Sequence, residues 1–199
     1  MDAQALPPGS SLLRGQYVVE GFLNAGGFAI TYVARDSLDR RVVIKECFPA
    51  GLCRRASAEV RAVSTTHQGD FETVVRMFGK EARRLAKLVH PNIVGVRDAF
   101  EEHGTAYMAL EFVEGRDLAD VILHEPERLD PARLRTITMQ LLDAIAHVHE
   151  AGTLHCDISP DNILLRADGN PVLIDFGAAR DRARRATRAL STLQVVKDG

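Results

Sequence analysis

The sequence contains no tryptophan, and it has only three cysteines among its 199 residues. Cys47, Cys53 and Cys156 are odd in number and show no C-x-x-C spacing, which argues against a disulfide framework and against a zinc site. We therefore expect free thiols in a reducing compartment, and a cytoplasmic protein.

The sequence also lacks a long apolar run and a strong net charge. No window approaches the length of a membrane span, and the N-terminus has neither the basic nor the apolar region of a signal peptide. The formal net charge of -2 gives no reason to expect binding to nucleic acid or to an anionic membrane. With 46% hydrophobic residues, the chain can bury a core without disulfides or metal.

Two short motifs near the C-terminal end carry the groups that phosphoryl transfer needs. Residues 155–162 have the sequence HCDISPDN, and residues 175–177 are DFG. Asp157 can take a proton from a hydroxyl nucleophile, whereas Asn162 and Asp175 can hold a divalent metal against a polyphosphate. Each motif alone is weak, but the apolar runs between them flank a D-G-N-P turn and predict a hairpin that places both acids on one side.

These motifs resemble the protein kinase family. The octapeptide matches the kinase catalytic loop H-R-D-x-x-x-x-N except at the arginine, where this chain has Cys156. The resemblance implies an α+β, bilobal fold with a complete small lobe of antiparallel strands plus a helix, and an incomplete helical large lobe. It assigns residues 1–14 to a flexible N-terminus, 15–113 to the small lobe, and 114–199 to a partial large lobe ending in the activation segment.

A lysine at the end of a buried strand belongs to the same predicted site. The β-branched run at 42–45 ends in Lys45, which needs a charged partner if the strand is buried on both faces. By resemblance, Lys45 holds the α- and β-phosphates and pairs with Glu81 on the next helix. That helix has an apolar stripe that includes Phe78 and Leu85. An exposed Glu81 unrelated to Lys45 is the alternative.

The glycine-rich stretch LNAGGFA at 23–29 lies between the first two predicted strands. Its backbone N–H groups can approach phosphate oxygens without obstruction by side chains. The resemblance identifies it as the phosphate-covering loop of kinases and places Gly26 and Gly27 at the nucleotide. The outer positions of the G-x-G-x-x-G pattern are Asn24 and Ala29, so an ordinary hairpin stays open as an alternative.

Four further nucleotide contacts are assigned by resemblance alone. The strand that ends near residue 113 is similar to the kinase hinge, which implies backbone contacts to adenine at Glu111 and Val113. Asp117 is then placed for the ribose hydroxyls, and Leu164 is also assigned to the nucleotide. An apolar strand followed by a polar turn would produce the same pattern.

Two longer segments complete the sequence. Asp130 at the N-cap and Gly152 just past the end predict a helix from about residue 132 to 151. Residues 46–77 are longer than kinases usually have at this point, and they resemble the insert of a bacterial serine/threonine kinase subgroup with a K-E-x-F-P sequence. We expect a solvated loop there and assign it no function.

The resemblance implies an ATP- and Mg²⁺-dependent serine/threonine protein kinase. Asp157 would orient or deprotonate the substrate hydroxyl, Lys45 and Glu81 would hold the phosphates, and Asn162 and Asp175 would hold Mg²⁺. The protein substrate cannot be named from the sequence. A small-molecule phosphotransferase would share this set of groups.

Departures from the family pattern favour a second alternative, a catalytically weak or inactive nucleotide-binding scaffold. These departures are Asn24 and Ala29 in the glycine-rich loop, Ser159 in place of a lysine near the γ-phosphate, and the missing helices of the large lobe. Cys156 replaces the arginine that binds an activation-segment phosphate in many kinases, so we expect activity that does not depend on that phosphate. His155 is expected to be structural and to stack under Phe176. The sequence ends where a full kinase continues, so we expect a fragment or a natural short form, with exposed apolar surface that would permit self-association.

Overall fold

The structure is a computed structural model, and it describes residues 4–176 of the chain. The β-strands are β1 (Ser11–Leu12), β2 (Tyr17–Ala25), β3 (Ala29–Asp36), β4 (Arg41–Cys47), β5 (Cys53–Ala56), β6 (Glu59–Ala62), β7 (Val96–Glu102), β8 (Thr105–Glu111), β9 (Arg116–Asp117), β10 (Ile163–Leu165) and β11 (Pro171–Leu173). The α-helices are α1 (Gln68–Leu85), α2 (Leu118–His124) and α3 (Pro131–Glu150). Single 3₁₀ turns lie at Thr65–His67, Pro126–Arg128 and Pro160–Asn162. The predicted activation segment, with Gly177 of the DFG motif, lies outside the described residues.

Six strands form an antiparallel sheet in the order β1-β2-β3-β4-β8-β7. On β3, the buried residues Ile30, Tyr32 and Ala34 alternate with more exposed ones, because successive side chains of a strand point to opposite faces. Helix α1 packs against β4, β7 and β8 through an apolar face that contains Phe78 and Ala82. The predicted small lobe of antiparallel strands with a helix is confirmed.

The N-terminal segment differs from the flexible lead-in predicted for residues 1–14. Within its described part, Leu6 and Leu12 are 3% and 0% exposed, and the Leu6 N–H donates to the Tyr32 hydroxyl at 3.1 Å. Strand β1 also pairs with β2. Burial of two leucines stabilises the docked segment, and the partners that bury them are distant in sequence.

Residues 46–77 also differ from the predicted solvated loop. They form the β5–β6 hairpin and the first half of α1, which begins at Gln68 rather than near Phe78. Phe48 and Val60 are 6% and 2% exposed and belong to the core on one face of β3 and β4. The prediction was wrong because this apolar contact is made with residues outside the segment.

The predicted long helix is confirmed as α3. The Asp130 side chain accepts the N–H of Arg133 at 2.8 Å as an N-cap, and Gly152 has a φ of 65° just past the helix end. The predicted hairpin is confirmed as β10 and β11, with β9 as a third strand. The exposed apolar side chains of α3 are Leu134, Met139 and Leu142.

The segment after α1 joins the two lobes by pairing with β11. The carbonyl of Asn92 accepts the N–H of Leu173 at 2.8 Å, and the N–H of Val94 donates to the carbonyl of Leu173 at 3.0 Å. The Asn92 side chain donates to the carbonyl of Pro171 at 2.7 Å. These bonds fix the end of β11, and therefore Asp175, relative to α1. Within the described residues, no helix is both long and apolar enough to cross a membrane.

Candidate active site

An ion pair between Lys45 and Asp175 forms the centre of the candidate site. Lys45 lies on β4, opposite Thr31 of β3 and Met108 of β8 in the sheet register. Asp175 lies two residues after β11 and has a φ of 53°, which is uncommon for a residue other than glycine. The left-handed backbone at Asp175 therefore contributes to aiming its carboxylate at the lysine, at some conformational cost.

The ion pair opens onto a cavity of about 230 Å³ between the small lobe and the DFG segment. The predicted site residues that line it are Gly26, Gly27, Lys45, Glu81 and Asp175. The structure thus brings together residues from the glycine-rich loop, a central strand, helix α1 and the end of a hairpin. One cation and two carboxylates at one cavity suit a ligand that carries both metal and phosphate.

The glycine-rich loop has room for a ligand. A Cβ atom added at Gly27 would meet no atom within 4 Å, so the absence of a side chain leaves open space rather than relieving a clash inside the protein. The N–H of Gly26 donates to the carbonyl of Ala29 at 2.9 Å and closes the turn. None of residues 24–29 has a positive φ, so Asn24 and Ala29 fit this loop without backbone strain.

The catalytic loop is hydrogen-bonded to the segment between β11 and Asp175. The side-chain NH₂ group of Asn162 donates to the backbone carbonyl of Asp157 at 2.9 Å. The backbone carbonyl of Asn162 accepts the N–H of Ile174 at 2.9 Å. Cys156, exposed and directly before Asp157, has a φ of 63°. Asp157, Asn162 and Asp175 are therefore held by one local network, as the hairpin between the motifs predicts.

His155 is a buried side chain that contacts both the catalytic loop and the DFG segment. It is 2% exposed, its ring centroid lies 4.5 Å from that of Phe176, and the two rings are tilted by 45°. The Asp157 N–H donates to Nδ1 at 3.3 Å, so the imidazole proton is on Nε2, which donates to the Ile174 carbonyl at 2.9 Å. Burial lowers the pKa of His155 and keeps the ring neutral. The predicted contact with Phe176 is confirmed.

The donor set also suits Mg²⁺. Among residues 4–176, no group of three or more His, Cys, Asp and Glu side chains could enclose a metal ion. Mg²⁺ in phosphoryl-transfer sites usually takes one or two protein ligands together with phosphate oxygens and water. The single carboxylate of Asp175 with the amide oxygen of Asn162 is compatible with that mode of binding, so the residues present fit the metal.

Comparison with known proteins decides the family. A family model described as the protein kinase domain matches residues 26–196. The chain belongs to the protein kinase family.

Relatives of this kinase domain are found in several bacteria. The chain is 34% identical over 168 residues to serine/threonine-protein kinase PrkC of Bacillus subtilis, and the alignment covers 84% of this chain and 23% of that protein. It is 34% identical over 189 residues to the probable serine/threonine-protein kinase SCO3848 of Streptomyces coelicolor, and this alignment covers 92% of this chain and 25% of that protein. The chain therefore spans about a quarter of the length of these relatives.

Solved structures show the same fold. The apo form of PpkA-294 superposes with a TM-score of 0.84 at 34% identity, covering 94% of this chain and 67% of that chain. The PknI kinase domain of Mycobacterium tuberculosis superposes with a TM-score of 0.64 at 25% identity, covering 87% of this chain and 63% of that chain. The predicted kinase fold is confirmed.

Four predicted nucleotide contacts lie outside the lining of the Lys45 cavity and stay predictions. The Glu111 N–H donates to the Gly95 carbonyl at 2.8 Å, and the Asp117 side chain accepts the N–H of Asp120 at 2.6 Å as the N-cap of α2. Leu164 pairs with Asp117 across β9 and β10, which places these two side by side. The fourth, Val113, is 7% exposed in the interlobe core.

The sequence did not identify three other residues that line the Lys45 cavity. Thr31, Met108 and Phe78 line it, and the sheet register places Thr31 and Met108 on either side of Lys45. Thr31 and Met108 can be identified only from the strand register, and a single sequence does not reveal the register.

A second, larger cavity of about 460 Å³ lies between β9, α2 and the β10–β11 turn. Its arginines are Arg116, Arg128, Arg133 and Arg166. Three of them are ion-paired to neighbouring carboxylates, and the fourth, Arg133, donates to the carbonyl of Asp168. It contains none of the predicted site residues, so its size alone gives it no role in the chemistry.

Proposed function

We propose that this chain is the catalytic region of a bacterial serine/threonine protein kinase, which transfers the γ-phosphate of ATP to protein hydroxyls. The observation that carries the proposal is the convergence of Lys45 and Asp175 at a cavity covered by the glycine-rich loop. Membership of the kinase family and the names of the bacterial relatives support serine and threonine as acceptors. One relative, MasK of Myxococcus xanthus, is named a tyrosine-protein kinase.

Each site residue has a distinct task in the proposed reaction. When bound, MgATP supplies the phosphoryl group and the metal that neutralises its charge. Lys45 stabilises phosphate oxygens, and Glu81 lines the same cavity, where it would orient the lysine. Asp157 accepts or orients the proton of the acceptor hydroxyl, while Asn162 and Asp175 supply oxygen ligands to the metal.

Catalysis by this arrangement rests on position and charge rather than on a reactive nucleophile of the protein. The neutral His155 supports Phe176 and the backbone before Asp175 and takes no part in proton transfer. The absence of strain at Asn24 and Ala29 removes one argument for an inactive scaffold. Ser159 in place of a lysine leaves less positive charge for the transition state, so we expect slow turnover.

The decisive experiment follows transfer of ³²P from labelled ATP to dephosphorylated casein with Mg²⁺ present. The wild-type chain is compared with Asp157→Asn and with Asp161→Asn, whose side chain is exposed in the same loop. We expect Asp157→Asn to lose activity by roughly a hundredfold or more, the range for loss of a general base, and Asp161→Asn to retain it. Equal incorporation by wild type and Asp157→Asn would contradict the proposal.

Location and assembly extend the proposal. Free Cys47, Cys53 and Cys156 suit a reducing, cytoplasmic compartment. Self-association would use the exposed apolar side chains of α3, and sedimentation velocity at increasing concentration tests it. A constant sedimentation coefficient would remove that part of the proposal and leave the phosphotransferase unaffected.

A further inference from the structure

The insert contacts the phosphate-covering loop directly. We call residues 48–62 the brace; it consists of the turn that follows β4 and the β5–β6 hairpin. The Phe48 N–H donates to the carbonyl of Phe28 at 2.9 Å, and the Ala50 N–H donates to the carbonyl of Gly27 at 2.9 Å. Both acceptors lie at the tip of the loop, on residues that line the Lys45 cavity.

These two bonds use the carbonyl groups of Gly27 and Phe28 and none of the N–H groups of the loop. Carbonyls at the tip of a glycine-rich loop would otherwise be solvated, and the loop would sample many conformations. With both carbonyls held from the brace, the loop backbone has a defined position beside Lys45. A loop held in this way loses less conformational entropy when a polyphosphate binds.

The brace is itself fixed to the sheet by a buried ion pair. Arg55 of β5 donates to the Glu46 carboxylate at 2.5 Å, and the side chains of Arg55 and Glu46 are 5% and 0% exposed. The hydroxyls of Tyr32 and Tyr107 donate to the same carboxylate at 2.7 and 2.6 Å. Glu46 directly follows Lys45 on β4, so the group that anchors the brace and the group that contacts Asp175 are successive residues of one strand.

Further bonds complete the anchoring of the brace. Arg55 donates through Nε to the backbone carbonyl of Gln4 at 2.6 Å, outside the brace. Its Nη1 donates to the carbonyl of Ala58 at 2.9 Å within the hairpin. The Val60 N–H donates to the His103 carbonyl at 2.8 Å. Val60 is also packed in the core, so each strand of the hairpin has its own attachment.

We propose that the brace holds the phosphate-covering loop in its binding position, and that Ala50 and Arg55 are positioning residues for the phosphates of the nucleotide. The inference rests on the proposed function, because it needs a nucleotide at the Lys45 cavity. It gives the insert, which the kinase reaction does not otherwise require, a task at the same site.

Calorimetric titration of the full chain with MgATP and, separately, with adenosine tests this inference. Ala50→Pro removes the N–H that binds Gly27 at an exposed position. The double variant Glu46→Gln/Arg55→Met removes the anchoring ion pair without leaving one buried charge unpaired. Arg54→Met is the matched control, because Arg54 is the exposed neighbour on the same strand.

Loss of the brace should weaken phosphate binding and spare the adenosine part of the ligand. We expect MgATP to bind about tenfold more weakly to both variants. Ala50→Pro loses the hydrogen bond to Gly27, and the double variant loses the ion pair that anchors the brace to β4. Adenosine affinity should stay within about twofold of wild type, and Arg54→Met should match wild type for both ligands.

The outcomes separate the brace from the proposed function. Unchanged MgATP affinity in both variants would contradict the proposed role of the brace, and the proposed nucleotide site would stand. Equal loss of MgATP and adenosine affinity would show a general structural defect and would also contradict the role of the brace. Absence of MgATP binding by the wild type would contradict the proposed function itself, and the brace with it.

Discussion

The amine of Lys45 contacts the carboxylate of Asp175, although 130 residues separate them in the sequence. The contact depends on the register of β4 in the sheet and on the pairing of Asn92 and Val94 with Leu173. Neither side chain is fully buried: the lysine is 18% and the aspartate 39% exposed. The pair is therefore accessible to a ligand. It contributes little to the stability of the fold, and its importance is that it places a cation and a carboxylate at the same cavity.

The first prediction concerns the buried carboxylate next to the lysine. Glu46→Gln should lower the free energy of unfolding by about 3–5 kcal/mol, because it leaves the Arg55 guanidinium buried without its counter-charge. The matched control is Glu20→Gln, which removes an exposed ion pair with Arg35 and should leave the free energy of unfolding nearly unchanged. Urea unfolding of both variants measures the difference, and equal losses would contradict the assigned network.

The second prediction concerns the pH dependence of stability. Burial lowers the pKa of His155 in the folded state below its ordinary value of about 6.5, so the unfolded chain binds more protons. Its contribution to stability is complete above pH 6.5 and is lost as the pH falls through the folded pKa. His155→Gln should therefore show a smaller loss of unfolding free energy between pH 7.5 and 5.5 than the wild type. The difference should be at most about 1.4 kcal/mol, because only one pH unit of that range lies below the unfolded pKa.

The exposed His149 provides the control for the histidine-to-glutamine substitution itself. His149→Gln makes the same exchange at an exposed side chain and should change the free energy of unfolding at pH 7.5 little, as measured by urea unfolding. The assignment of a buried neutral His155 would be refuted by identical pH profiles for wild type and His155→Gln.

The third prediction concerns a glycine at the junction of the lobes. A Cβ atom at Gly115 would lie 2.5 Å from the carbonyl oxygen of Leu165, so Gly115→Ala should destabilise the fold by roughly 1–3 kcal/mol. A Cβ at Gly69, in the first turn of α1, would meet nothing within 4 Å, so Gly69→Ala should be neutral or stabilising by up to about 1 kcal/mol. Opposite signs are expected in thermal melts, and a stabilising Gly115→Ala would refute the close packing of β9 on β10.

Local signals in the sequence were sufficient for the elements that carry the chemistry. The turn at 168–170 predicts the β10–β11 hairpin, and the Asp130 cap predicts the start of α3, because neither depends on distant residues. The contact between His155 and Phe176 was also predicted correctly, from the resemblance of both motifs to kinases. The metal and nucleotide assignments stay predictions.

Long-range contacts account for what the sequence did not reveal. Arg55 has no distinguishing feature beside Arg54, yet it is buried because Glu46 and two tyrosine hydroxyls lie opposite it in the fold. The docked N-terminal segment depends in the same way on the Tyr32 hydroxyl, which accepts the N–H of Leu6. Polar segments with such partners cannot be distinguished from solvated loops by composition.

The central claim is that Lys45 and Asp175 act together on one nucleotide, and a double-mutant cycle tests it most directly. Thermal stabilisation by MgATP is measured for wild type, Lys45→Ala, Asp175→Asn and the double variant, with the unliganded melting temperature of each as its own reference. We expect each single variant to lose the stabilisation and the double variant to lose no more than either one. Stabilisation of Lys45→Ala equal to that of the wild type would contradict the account.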